Sequence, residues 1–300
     1  MTIAITGSSG LIGSALTKSL RADNIDVIRL VRRAAAAADE VSWDPDNRTV
    51  DVEALAAANV DAIVHLAGAG VGDRRWTDEY KAEILDSRVN GTTAIAEAAA
   101  QLPNKPALIS GSAIGYYGDT GDDIVDESAA AGASFLADVV VAWEAAADPA
   151  RDAGLRVAHP RTGLVVAESA GAFGKLVPIF KLGGGGKLGS GKQWWSFISL
   201  TDEVRALRFL VDNPISGPVN LVAPVPVRNK DAATALGDVL HRPSLLPVPH
   251  FALRIAIGEF ADEVMASQGV TPAVLTEAGF EWLHPDIHGA LAAEITPSSL

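Results

Sequence analysis

Short apolar runs alternate along the chain with longer stretches in which apolar residues recur every three to four positions. Residues 2–6 (TIAIT) are β-branched and apolar and are followed by glycines, the pattern of a buried parallel strand. Leu11, Ile12, Ala15, Leu16 and Leu20 then fall at helical spacing over 11–21. Strands are predicted at 25–31 (IDVIRLV), 60–66 (VDAIVHL), 106–112 (PALISGS) and 155–162, with a short piece around Val41–Trp43 and a turn at 44–47 (DPDN). Helices are predicted over roughly 77–101 and 134–153. This alternation predicts an α/β fold, a doubly wound parallel sheet with helices on both faces. Such sheets bind ligands beyond the carboxyl ends of their strands, where the strand order reverses.

After residue 165 the character changes. Residues 183–191 (GGGGKLGSG) read as a mobile loop, while a helix near 202–212 and a strand near 218–222 are expected to return to the sheet. From about 224 the chain is punctuated by proline, with an amphipathic helix near 251–267 and a short one near 286–294. The expected division is 1–165 plus about 196–223 for the sheet domain, with about 166–195 and 224–300 forming a small C-terminal lobe. No internal repeat is visible.

Composition narrows the function. A formal net charge of −13 argues against nucleic acid, whose phosphates need clustered Lys and Arg. No apolar stretch is long enough to span a membrane, and MTIAITGSSG lacks the basic leader of a signal peptide, so a cytoplasmic protein is expected. The absence of cysteine excludes disulfides, zinc–thiolate sites and a cysteine nucleophile. A homodimer is left open.

Gly7-Ser8-Ser9-Gly10-Leu11-Ile12-Gly13 joins the first strand to the first helix with G-x-x-G-x-x-G spacing. Gly7 permits the tight turn, Gly10 admits a pyrophosphate against bare backbone, and Gly13 lets helix and sheet approach. The helix start offers free N–H groups and partial positive charge to the phosphates of a dinucleotide. At the end of the second strand, where an NAD site places an acid for the ribose hydroxyl, the chain has Arg32 and Arg33. Guanidinium groups pair with a 2′-phosphate, so NADP(H) is the expected cofactor.

Several segments now resemble a known group. GSSGLIG, HLAGAG (65–70), SRVNGTTAIAEA (87–98) and SGSAIGYYGD (110–119) resemble the extended short-chain dehydrogenase/reductases, the NAD-dependent epimerase/dehydratase group. RWTDEYKAEILDSRVNGT, LGSGKQWWSFISLTDEVRAL and RPSLLPVPHFALRIAIGEFADEVM resemble its atypical branch, the epimerase family proteins, whose inferred label is nucleoside-diphosphate-sugar epimerase. The resemblance implies a Rossmann-type fold with a substrate lobe. It also implies a Ser, a Tyr-x-x-x-Lys pair and an Asn around the reacting oxygen. Ser112 matches the serine and Arg88 falls at the asparagine position. Leu136 and Val140, within FLADVVVAWE (135–144), stand where tyrosine and lysine would be, and neither carries a proton. General acid–base catalysis contributes on the order of 10² to 10⁴ in rate, so the pair must be replaced or the chemistry abandoned. The expected replacement is Ser112 with Tyr116 or Tyr117, and Arg88 as the cation that favours the phenolate.

Other signals are set aside. Gly186–Gln193 resembles a P-loop but ends in Gln193 and lacks the magnesium ligand. Lys187 and Lys192 could meet an anionic group, and Trp194 and Trp195 stack on a base or anchor a loop. His284 and His288 lack the company of a metal site, and Ser112 lacks G-x-S-x-G. His159 reads as a core histidine, and Arg161 either faces the cleft or pairs with an acid. The dinucleotide is therefore assigned to Gly7, Ser9, Gly10, Leu11, Ile12, Gly13, Arg32 and Arg33, with His65, Leu66, Ala67 and Gly68 at the next strand end. Two functions stay open: redox or epimerisation of a nucleotide sugar or similar small polar substrate, and a cofactor-binding sensor without turnover.

Overall fold

Alternate residues of a strand point to opposite sides of a sheet, and the computed structural model, which describes residues 1–296, has both sides filled. Ile3, Ile5, Val64, Ile109 and Ala158 enter one apolar cluster, whereas Ala4, Ile63, Leu108 and Val157 enter the other. Double-sided burial is why the strands read as continuous apolar runs.

The chain opens with β1 (Thr2–Thr6), α1 (Leu11–Ala22), β2 (Asp26–Val31), β3 (Glu40–Asp44), β4 (Thr49–Val50), α2 (Val52–Ala57), β5 (Ala62–His65) and α3 (Asp78–Gln101). Next come β6 (Ala107–Ser110), β7 (Ser112–Ala113), a 3-10 turn (Ile114–Tyr117), β8 (Ile124–Val125), α4 (Phe135–Ala145), α5 (Asp148–Asp152) and β9 (Val157–Thr162). Then follow β10 (Leu164–Val166), α6 (Gly171–Lys181), β11 (Trp194–Trp195), β12 (Phe197–Ser199), α7 (Leu200–Asp212) and β13 (Gly217–Leu221). The last are β14 (Val227–Arg228), α8 (Asn229–Leu240), α9 (His250–Ile257), α10 (Phe260–Met265), β15 (Gly269–Val270), α11 (Ala273–Glu277) and α12 (Ile287–Glu294).

The main sheet has the order β13-β9-β6-β5-β1-β2-β3-β4, parallel except for the β3–β4 hairpin, and β7 also pairs with β9. From β1 the chain steps to β2 on one side and returns to β5 on the other, so the order reverses between β1 and β5. Helices α1 and α7 supply Leu16, Leu20, Leu207 and Leu210 to one face, and α3 supplies Ile95, Ala96 and Ala99 to the other. A third cluster, with Phe173, Phe180, Leu236 and Leu291 from α6, α8 and α12, lies in the C-terminal part.

Several boundaries differ from the sequence pattern. The helix expected over 134–153 is two helices, with Pro149 opening the second. The one expected over 251–267 divides at Gly258. Helix α6 is hidden in the sequence by its glycines and internal Pro178, and α8 by the alanine face that buries it. The glycine stretch 183–191 is pinned: Leu188 is buried, bridges Val248 and donates its N–H to the Asn229 side-chain oxygen at 2.8 Å.

Three enclosed titratable groups set the pH response. Burial lowers His65 and His159 from the ordinary 6.5 to about 4. Burial raises Glu203 from 4.5 to about 8, with only the Thr162 hydroxyl, 2.8 Å away, opposing it. Below 6.5 the unfolded chain binds two histidine protons that the fold refuses until about 4, so acid destabilises. Glu203 acts oppositely: its contribution holds at low pH and is lost as pH rises from 4.5 through about 8. Thermal stability should therefore peak at about pH 6.5 and decline toward pH 8 at up to about 1.4 kcal/mol per pH unit, a few degrees. Scanning calorimetry of wild type and Glu203→Gln checks this: the variant should lose the alkaline decline, and equal slopes for both would refute the assignment.

Candidate functional site

The first glycine turn leaves no room for side chains. Gly7 has φ +65°, and a Cβ placed on it would lie 3.0 Å from the Leu66 carbonyl carbon. A Cβ on Gly13 would lie 2.2 Å from the Gly7 carbonyl oxygen, a backbone overlap that no rotamer relieves. Gly10 caps α1 in extended conformation with no side-chain hydrogen bond, so the helix start is bare. Ser9, Gly10, Leu11 and Ile12 border this opening at the β1–β5 reversal. Leu66, Ala67 and Gly68 leave β5 beside it, and the Leu66 and Ala67 N–H groups donate to the Thr6 hydroxyl at 3.0 and 3.2 Å. A crevice with bare N–H groups and glycines at both close approaches fits a pyrophosphate.

His65 has a different role from the one its position suggests. Its side chain is fully buried between the sheet and α3, 2.7 Å from the Thr6 hydroxyl and edge-on to Trp43. Thr6 accepts from two N–H groups, so its own proton goes to His65 Nδ1. His65 is thus neutral and holds the strand ends in place, with no surface to offer a ligand.

The two arginines after β2 are not equivalent. Arg33 donates from both terminal nitrogens to Glu40, at 2.8 and 2.6 Å, whereas Arg32 is exposed and makes no ion pair among the described residues.

A second cluster lies at the ends of β7, β9 and β13. Ser112 donates to Glu144 at 2.6 Å, and Glu144 takes a two-pronged contact from Arg161 at 2.8 and 2.9 Å. Arg161 also donates to the Tyr117 hydroxyl at 2.9 Å, and that hydroxyl donates to Asn220 at 2.8 Å. The Arg161 guanidinium lies 3.4 Å from the centre of the Tyr116 ring. Burial favours protonation of Glu144, but Arg161 and Ser112 outweigh it and hold the carboxyl below its ordinary range. Burial raises Tyr117, although Arg161 and Asn220 oppose the shift. A serine has one proton to give, and here Glu144 takes it. Tyr117 is likewise committed. Tyr116 is half-buried, and its hydroxyl has no protein partner among the described residues.

Arg88 does not serve as the tyrosines' cation. It binds the Ala69 and Ile84 carbonyls at 2.9 and 3.0 Å and stacks over Trp143, and burial lowers it to about 10. Arg161 occupies that role. At the carboxyl end of β9, where the sequence leaves it either to face the cleft or to pair with an acid, it does pair with one, seventeen residues upstream on α4, which spacing alone does not reveal. Glu144 and Asn220 were missed for the same reason. Leu136 packs in an apolar cluster near Trp76, and Val140 is buried, so no acid/base pair exists at those positions.

A parallel sheet that reverses at a glycine cradle defines a Rossmann-type doubly wound protein. The chain belongs to the NAD dependent epimerase/dehydratase family, whose profile matches residues 3–222. A domain of unknown function, DUF1731, matches residues 248–294. An epimerase family protein of Mycobacterium bovis is 46% identical over 296 residues, 98% of this chain and 97% of that one. Human epimerase family protein SDR39U1, solved with NADPH, superposes with a TM-score of 0.87 at 28% identity, covering 98% of this chain and 99% of that one. A nucleoside-diphosphate sugar epimerase from Corynebacterium glutamicum gives 0.81 at 37%, over 98% of this chain and 58% of that one. Among the described residues no helix is long and apolar enough to cross a membrane.

The buried pair allows a stability test. Arg161→Met leaves Glu144 charged and uncompensated and should cost about 3–5 kcal/mol in urea unfolding. Adding Glu144→Gln should recover much of that loss. A double variant as unstable as the single one would show that the ion pair is not what holds these strand ends.

Proposed function

We propose that this protein binds NADP(H) in the β1–β5 crevice and performs redox or epimerisation chemistry on a nucleotide sugar or similar small polar substrate. The observation that carries the reading is the bare start of α1, with glycines at both points of closest approach and arginines after β2. The NADPH in the human relative and the nucleoside-diphosphate sugar label of the corynebacterial one support it. The pyrophosphate is assigned to the Gly10–Gly13 backbone and the 2′-phosphate to the Arg32–Arg33 corner. The bound nicotinamide would supply a hydride acceptor or donor.

The chain's own chemistry then falls to Tyr116. Its free hydroxyl holds or gives the proton at a substrate oxygen, and the Arg161 guanidinium packed against its ring fixes its position. Ser112, whose hydroxyl donates to Glu144, keeps its lone pairs free and accepts from a substrate hydroxyl. One observation favours a second reading, a sensor without turnover: Ser112, Tyr117, Glu144 and Arg161 satisfy one another, and Leu136 and Val140 are apolar.

NADPH fluorescence should change on binding to wild type and not with Gly13→Val. Tyr116→Phe should keep binding while lowering turnover by about 10² to 10⁴. The check is cofactor absorbance together with product analysis over a nucleotide-sugar panel. Absence of NADPH binding by folded wild type sinks the proposal, and binding with no turnover or isomerised product across the panel favours the sensor.

A further inference from the structure

The corner that reads the cofactor's second ribose already contains an anion. Glu40 begins β3, in register with Arg29 of β2, and its side chain is only 2% exposed. One oxygen receives Arg33 Nη2 at 2.6 Å and Arg29 Nη2 at 3.0 Å. The other receives Arg33 Nη1 at 2.8 Å and the Ala36 N–H at 2.9 Å. This is the two-pronged geometry by which a guanidinium grips a carboxylate or a phosphate. Arg33 Nη1 also donates to the Ala34 carbonyl at 2.9 Å, and the Ser42 hydroxyl fixes the Arg33 carbonyl at 2.9 Å. Arg29 is further occupied by Asp39 at 3.0 Å, and Asp39 also takes Arg21. Of the four arginines in this corner, only Arg32 has no acid on it among the described residues.

We propose that Glu40 is a built-in competitor for the phosphate-reading arginine. It occupies the Arg33 fork from within the fold, leaves the 2′-phosphate to Arg32, and limits discrimination between NADP(H) and NAD(H). The inference rests on the dinucleotide reading above and adds a specificity-determining residue that the glycine motif does not contain. Two effects act together. Arg33 cannot wrap a phosphate with the edge it has given to Glu40. The fixed carboxylate also repels a dianionic phosphate brought to the same corner, a cost that solvent screens only in part. Glu40 is a positioning residue here, because it acts through Arg33 and is too enclosed to meet the nucleotide.

The test uses two nucleotides without nicotinamide, 2′-phospho-ADP-ribose and ADP-ribose, titrated calorimetrically into the folded full chain. Glu40→Gln removes the charge and should raise the preference for the phosphorylated probe about tenfold, with ADP-ribose affinity unchanged. Glu40→Asp keeps the charge and should keep the wild-type ratio. Arg32→Ala should lower the ratio about tenfold or more, because Arg32 is, among the described residues, the arginine left free for the phosphate. An unchanged or reduced ratio in Glu40→Gln overturns the proposal. If that variant does not fold, Arg32→Ala decides: a ratio left at the wild-type value would show that Arg33 reads the phosphate despite Glu40 and overturns it equally. Failure of wild type to bind ADP-ribose at all would instead strike the dinucleotide reading itself.

Discussion

The missing Cβ atoms at Gly7 and Gly13 are the constraint on which the crevice depends. At Gly13 the Gly7 carbonyl oxygen and the helix backbone meet at a distance that admits hydrogen and nothing larger, and Gly7 turns with a positive φ beside the Leu66 backbone. Because α1 can lie so close to β1, its first N–H groups end at the reversal of the sheet instead of above it. Thr6 and His65 complete the frame from below, tying the exit of β5 to the end of β1 through a neutral, enclosed imidazole. The apolar sheet and the polar crevice are thus one construction, in which double-sided burial of the strands fixes the height at which the bare peptides emerge.

At the ends of β7, β9 and β13 five polar side chains form a fixed network. Ser112, Glu144, Arg161, Tyr117 and Asn220 link β7, α4, β9 and β13 in a line of charge-assisted hydrogen bonds. Asn220 continues it to the Thr271 carbonyl, beyond the sheet. Such a network rigidifies the strand ends and consumes the donors that would otherwise face a substrate. What stays available among the described residues is the hydroxyl of Tyr116, whose ring lies over the guanidinium. The same principle recurs around β2, where acids hold Arg21, Arg29 and Arg33 and, among the described residues, leave Arg32 unpaired.

Local features were legible in the sequence and distant pairings were not. The strand runs, the α1 turn and the length of α3 follow from periodicity and from turn and cap residues within a few positions. Helices α6 and α8 escaped because glycine, alanine and proline blur the amphipathic signal that packing later supplies. Arg88 stood at the expected position but turns to backbone carbonyls, and the cation beside the tyrosines is Arg161, held by Glu144 of α4. His65 was placed beside the correct loop, yet its ring faces inward, a distinction of strand face that the motif HLAG does not encode. Glu40 gave no signal at all, since its partners depend on the β2–β3 register.

The crevice is a dinucleotide site only if the open start of α1 holds a pyrophosphate. A crystal structure of the protein with NADPH tests it most directly. The account predicts pyrophosphate oxygens within hydrogen-bonding distance of the Leu11 and Ile12 peptide nitrogens, with the second phosphate beside Arg32. Density for the nucleotide elsewhere, with the α1 start facing solvent, would contradict it.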